Sequence, residues 1–167
     1  TSYASKLTDE TFCNDRSITS GSGYLTTPST FYGAYTRLQD RKTPSLKCSG
    51  DNDKFKMSNE SAKLEYPVAL ITADEVVLAG GRAYYNGAYS PNSNYYLYNG
   101  KYFWSLSPSN FASDYSIARV WLVMPSGSLY PWYDVTNSLG VRPVINLRAD
   151  AQITKGDGSF LNPFVVS

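Results

Sequence analysis

The chain has 167 residues, 42% hydrophobic and 17% charged, with a formal net charge of +1. That length suits one domain spanning 1–167, and the near-neutral charge leaves no field to steer nucleic acid or acidic lipid. Histidine is absent, which removes the commonest general base, the commonest transition-metal ligand and the usual catalytic triads.

The chain opens at Thr1-Ser2-Tyr3 without an initiator Met or a signal-peptide pattern, so an export signal or membrane anchor trimmed from upstream is expected. No apolar run approaches the roughly 20 residues that span a bilayer. Cys13 and Cys48 are an even pair in a chain of extracellular character, and one structural disulfide is expected between them. It would close a loop of about 35 residues, a constraint of roughly 3–4 kcal/mol.

Further along, Phe31, Tyr35 and Leu38 fall at i, i+4 and i+7, which predicts a short helix within Pro28 to Leu38, capped by Ser29 or Thr30 and stopped by Thr43-Pro44. Asp51 and Asp53 stand as at the start of a calcium loop, but the glycine and the downstream glutamate of such a loop are missing, so a solvated turn is expected. Tyr66 to Ile71 reads as a strand entering a helix of about Ala73 to Ala79. Thr72 and Glu75 form the capping box, Gly80-Gly81 the stop, and Val76, Val77 and Leu78 the core candidates. Asp74 and Glu75 lie in the first turn, where the helix dipole favours negative charge.

Tyr95 to Tyr98, Asn99-Gly100 and Lys101 to Trp104 read as a β-hairpin. A loop follows from Pro108 to Tyr115. Ile117 to Met124 is apolar on both faces and is therefore expected as a central strand containing Trp121. Leu129 to Tyr133 and Val141 to Leu147 continue it as an antiparallel meander, with Pro131 and Pro143 pointing to edges or irregular pairing. Asn162 to Val166 reads as the last strand of a hairpin, closing against the N-terminal region. Arg142, inside an apolar strand, needs a charge-assisted partner, either a carboxylate, for which Asp74 or Glu75 are the candidates, or helix-end carbonyls.

Several of these phrases resemble the C-type-lectin-like superfamily. Leu70-Ile71-Thr72-Ala73-Asp74-Glu75 with Gly80-Gly81 resembles its strand-to-helix segment, Phe103-Trp104-Ser105 its W-S-S strand and Gly140-Val141-Arg142 its closing G-[FV]-R strand. That superfamily includes formylglycine-generating-enzyme-like and bacterial major-paralogous domains. A closer resemblance is to an uncharacterised family of secreted, pilin-like Gram-positive (Firmicutes) surface proteins, which share the phrases at Ser45 to Cys48, Tyr66 to Glu75, Gly140 to Leu147 and Gly156 to Val166. The resemblance implies an α+β, C-type-lectin-like fold: a twisted antiparallel sheet with two flanking helices, adjacent termini and long irregular loops that carry ligand contacts. It implies no activity. The chain has no Cys beyond Cys48, which the formylglycine-generating chemistry needs, and it lacks the E-P-N, Q-P-D and W-N-D tripeptides of calcium-dependent sugar binders.

Fifteen tyrosines amid Ser, Thr and Asn form a contact palette, rigid aromatic area with adaptable hydrogen bonding. The reading is a non-catalytic extracellular recognition or adhesion domain, binding a glycan or protein through a loop face. Its contact residues are Asn110, Asp114, Tyr115, Tyr130, Trp132, Tyr133 and Asp134, with Tyr84, Tyr85, Tyr89 and Tyr95 on the same face. Thr72, Glu75, Trp104, Trp121 and Arg142 are structural. Two alternatives stand beside it. One is a receptor-binding domain diversified by a retroelement, for which Asn110, Ser113, Asp114, Tyr115, Ser116, Tyr130, Trp132, Tyr133 and Asp134 have the right composition; the other is an assembly subunit of a surface fibre. No cofactor or metal is expected, no nucleic acid partner, and contact with a membrane only through the removed anchor. Asp114, Asp134, Asp150 and Glu65 are scattered, mostly at turns, and do not compose an enzyme site.

Overall fold

The computed structural model describes residues 3–48, 50–83, 98–159 and 161–167. Its strands, in chain order, are β1 (Phe12–Cys13), β2 (Ile18–Ser20), β3 (Thr30–Tyr32), β4 (Lys54–Phe55), β5 (Val68–Leu70), β6 (Arg82–Ala83), β7 (Phe103–Ala112), β8 (Ile117–Val123), β9 (Ser128–Asp134), β10 (Pro143–Ile145), β11 (Ile153–Lys155) and β12 (Val165–Val166). The helices are α1 (Gly33–Tyr35), which continues as a π-helical stretch over Thr36–Arg41, and α2 (Ala73–Leu78). β-Structure dominates an α+β arrangement. Among the described residues no helix is long and apolar enough to cross a membrane.

One six-stranded sheet, ordered β2-β3-β7-β8-β9-β6, organises the rest. It is antiparallel except where β6 runs parallel to β9. β8 is central, as its two apolar faces predict: Trp121, Leu122 and Val123 are fully buried. Phe103, Trp121, Val123 and Leu129 pack against Ala34 and Leu38 of the first helix and Ala73 and Val76 of the second.

The segment Trp104-Ser105-Leu106-Ser107-Pro108 bends β7 away from a regular ladder. Trp104 pairs with Leu122 and Pro108 with Val120, so three residues of β7 lie opposite Trp121 alone. Pro108 has no N–H to give, and the freed backbone groups are met by hydroxyls and by neighbouring chain. Ser105 Oγ donates to the Trp121 carbonyl at 2.8 Å, the Leu106 N–H donates to the Ile71 carbonyl at 2.8 Å, and Ser107 Oγ accepts the Ala73 N–H at 3.0 Å. The bulge thus holds the first turn of α2 against the sheet. That turn carries the predicted capping box: Glu75 N–H donates to Thr72 Oγ1 at 3.2 Å, and the Glu75 carboxylate accepts the Thr72 N–H at 2.8 Å. Gly80 takes a left-handed φ of 102° at the stop, but only Val76 of the three core candidates is fully buried, and Leu78 is exposed.

The helix expected over Pro28 to Leu38 begins later. Thr30 to Tyr32 form β3 and pair with Phe111 and Asn110 of β7, because a β-branched and aromatic run next to an open strand gains more from cross-strand packing than from helix. Phe31 and Tyr35 still meet, with ring centroids 4.7 Å apart, across the strand-to-helix corner. Gly33 makes that corner: its N–H donates to the Ser17 carbonyl at 2.8 Å, and a Cβ there would stand 2.5 Å from Asp15 Oδ2.

Asp15 belongs to an ion network with Arg37. The guanidinium bonds Asp15 and grips both oxygens of Asp74 at 2.9 and 2.8 Å, while the Ser45 N–H donates to Asp74 Oδ1 at 2.9 Å. Hydrogen bonding to Asp74 outweighs burial and holds Arg37 even more firmly protonated than usual. Asp74 is therefore engaged by Arg37, which corrects its expected pairing with Arg142. Glu75 is turned onto Thr72, and the Arg142 guanidinium lies 4.8 Å from the centre of the Phe103 ring.

Two further corrections concern the C-terminal third. Val141 to Leu147 does not extend the meander. Gly140 bridges Phe103 in parallel, exchanging hydrogen bonds with Trp104 and Tyr102, and β10 then pairs antiparallel with β5 as a separate two-stranded sheet. Pro143 consequently sits where no second neighbour needs its N–H, whereas Pro131 is buried inside the main sheet. There Pro131 and Trp132 together oppose Trp121, a bulge that spares the missing donor. The last strand, β12, pairs with β11 rather than with the N-terminal region; that region is closed by Asn146 to Arg148 through a Leu7–Leu147 bridge and hydrogen bonds from Thr8 and to Lys6. Cys13 and Cys48 form the expected disulfide, with Cα atoms 5.4 Å apart. Tyr95 to Leu97, in the first arm of the expected hairpin, lie outside the described residues.

Candidate functional site

The seven residues expected to share one contact face divide among three environments. Trp132 faces the helix side of the sheet, edge-on to Tyr35 at 5.2 Å and to Phe31 at 6.3 Å, with the Arg119 guanidinium 5.7 Å from its ring centre. Burial, with the Asp40 charge adding to it, pushes the Tyr35 phenol upward. Cross-strand register places Phe31, Asn110, Arg119 and Asp134 along one rung. Arg119 donates to Asp134 at 2.9 Å, both groups being largely shielded from solvent. Asn110 is 2% exposed and sits in β7 rather than in a loop. It is corrected from a surface contact to a buried rung residue, because β7 runs on to Ala112. Arg119 went unnoticed in the sequence, although it carries the signal already used for Arg142: a charge within an apolar strand.

Tyr133 and Trp104 lie on the opposite side, their ring centroids 5.9 Å apart, and Tyr102 stacks on Tyr133 at 6.4 Å. Tyr130 is half-buried opposite Leu122. Tyr102 and Trp104 both pack against Tyr133, and the Tyr130 to Asp134 segment is sheet.

The third environment is the end of the sheet. Ser113 to Ser116 turns β7 into β8, leaving Asp114 and Tyr115 exposed, Tyr115 to 71%. Alongside runs the connection between β2 and β3, residues 21–29. Ser29 Oγ accepts the Ser113 N–H at 3.0 Å and shares a hydrogen bond with the Ser113 hydroxyl at 3.1 Å, which locks the two loops together. Within the longer loop, Thr30 Oγ1 accepts the Gly23 N–H and donates to the Gly23 carbonyl, both at 2.9 Å, and Thr26 Oγ1 donates to the same carbonyl at 2.7 Å. Gly21 allows this closure: its φ is 79°, and a Cβ would lie 2.6 Å from Thr30 Cα.

A cleft of about 560 Å3 opens between the two loops. It is lined by Ser20, Gly21, Thr27, Pro28, Ser29, Phe31, Ser113 and Asp114. Tyr24, on the same loop, is exposed on one side and packs its ring edge-on to Phe111 at 4.8 Å on the other. Leu25 is 65% exposed and holds a left-handed φ of 59°, a conformation that costs a non-glycine residue about 1 kcal/mol or more. A lining of hydroxyl-bearing residues with one acidic residue suits hydrogen bonding with a neutral polar ligand. Among the described residues, no group of three or more Cys, Asp or Glu is placed to hold a metal ion. Glu65 is exposed, and Asp150 is paired with Arg148, remote in the chain from Asp114 and Asp134. Tyr84, Tyr85, Tyr89 and Tyr95 lie outside the described residues. No family model, curated protein or solved structure matches the chain.

Proposed function

We propose that this chain is a non-catalytic extracellular recognition domain of C-type-lectin-like fold whose contact surface is the loop end of the sheet: Tyr24, Leu25, Asp114, Tyr115 and the cleft they border. The observation that carries the reading is the pairing of a rigid base with an unburied apolar tip. Ser29, Ser113, Thr30 and Gly21 fix both loops by hydrogen bonds and close packing, yet three large side chains at their crests face solvent. Rigid exposed aromatics lose little entropy on binding, which is what a contact surface requires. The lectin-like assignment draws support from Gly140-Val141-Arg142 lying against Phe103-Trp104 and from the capped helix following β5. The Cys13–Cys48 disulfide is compatible with an extracellular setting.

A glycan and host-protein array read with the parent domain and with Tyr24→Ala, Asp114→Ala and Tyr115→Ala tests this. Loss of the parent's positive spots in at least two variants, with Leu161→Ala unchanged as a remote exposed control, is the expected result. Retention of every spot by all three loop variants would remove the assignment. The fibre-subunit reading has its own observation: Val141, Ile145, Leu147, Ile153, Leu161 and Phe164 are all exposed within the last 27 residues. Sedimentation that shifts with concentration, and loses that shift in Leu161→Ser with Phe164→Ser, would favour it.

A further inference from the structure

The C-terminal ends of the two helical segments meet over a second cavity, which shares no wall with the cleft. Its volume is about 360 Å3, and its lining is mostly apolar: Leu38, Pro44, Val77 and Ala83, with Lys42 and Arg82 as the charged groups. Leu38 is a member of the buried core, and Val77 and Ala83 pack against that core, so the floor is a fixed apolar surface. The volume falls in the lower part of the roughly 300–1,000 Å3 span of small-molecule sites. Among the described residues, no carboxylate lines the cavity.

Lys42 reaches this position through unusual backbone. It closes the π-helical stretch in the left-handed region, with φ 56° and ψ 35°, where glycine or asparagine is the common occupant. Its ammonium turns back onto the carbonyls of Gln39 and Leu38, which fixes a cation beside the apolar floor. Arg82 approaches from β6, immediately after the buried Gly81, whose N–H donates to the Val76 carbonyl at 2.8 Å. Among the described lining residues, two cations and no anion around an apolar hollow constitute a one-sided charge pattern.

We propose that this cavity binds a small amphiphilic carboxylate, its apolar body on Leu38, Pro44, Val77 and Ala83 and its carboxylate between Lys42 and Arg82. Burial of the apolar body supplies affinity, and charge-assisted hydrogen bonds to the two cations select an anionic head over a neutral one of equal length. Calorimetric or NMR titration of the 167-residue chain with octanoate, and with octanol as its neutral counterpart, tests both parts. Octanoate should saturate with a Kd on the order of 1 mM or tighter, and octanol should bind about tenfold more weakly. Arg82→Gln should lower octanoate affinity about tenfold and leave octanol unchanged. Ala83→Leu should abolish both by filling the hollow, and Val77→Met does the same from α2 where a melting curve shows that Ala83→Leu has lost its fold. Three results would overturn the proposal: no saturable octanoate binding; equal affinities for octanoate and octanol; or full octanoate binding by a folded cavity-filling variant.

Discussion

Replacing Trp132 by alanine separates a fold residue from a contact residue. The ring touches Tyr35 and Phe31 edge-on and receives the Arg119 guanidinium over its face, while remaining half-buried. Truncating a fully buried Trp costs about 3–5 kcal/mol. Partial exposure lowers the transfer part, but two aromatic pairs at roughly 0.5–1.5 kcal/mol each and a cation–π contact at about 0.5–1 kcal/mol are lost with it, so about 3 kcal/mol is expected. For a chain of this length that is a fall in Tm of roughly 6–12 °C. Tyr115→Ala is the matched comparison, since a 71% exposed ring away from such contacts should change stability by less than about 0.5 kcal/mol. Urea unfolding followed by tryptophan fluorescence and circular dichroism, with the slope of the transition checked for constancy, gives both values. A Trp132→Ala variant within about 0.5 kcal/mol of the parent would refute the placement of this ring in the sheet's packing and return it to the list of contact residues.

Other perturbations probe other parts of the molecule. Ser107→Ala leaves the buried Ala73 N–H without its acceptor and should destabilise by about 1–3 kcal/mol, whereas the exposed Ser138→Ala should be neutral; equal melting curves would count against the bulge as the anchor of α2. Reducing the Cys13–Cys48 disulfide releases a separation of 35 residues and should cost roughly 2–4 kcal/mol in denaturant midpoint measurements, an effect that a Cys13→Ala/Cys48→Ala chain should not show on adding reductant. Burial would raise the Asp9 carboxyl, but hydrogen bonds from the Met57 N–H at 2.6 Å, the Ser58 hydroxyl and the Ser58 N–H at 3.0 Å outweigh it and hold it below the usual carboxylate range. With its folded value depressed, Asp9 contributes stability that is present above about pH 4 and is lost as pH falls through the folded value. Asp9→Asn should therefore flatten the acid limb of a stability-against-pH curve, and an unchanged limb would contradict the contact.

Local signals carried a good part of this molecule. The capping box at Thr72 and Glu75, the central character of Ile117 to Val123 and the pairing of two lone cysteines were each legible because a simple rule decides them: a reciprocal cap, a strand apolar on both faces, an even number of cysteines with one possible pairing. Tertiary structure decided what depends on a distant neighbour. Phe31 became strand rather than helix because Asn110 and Phe111 offer a free edge, and Asp74 pairs with Arg37 because the first helix delivers a guanidinium beside it. β10 left the meander for β5, which lies more than seventy residues earlier in the chain. The candidate site followed the same division. Tyr115 and Asp114 were legible as a polar turn, but the β2–β3 loop that completes the cleft carries no contact signature of its own. It joins them only through the Ser29–Ser113 hydrogen bonds, and the periodicity of a single segment contains no information about a partner that folding alone brings alongside.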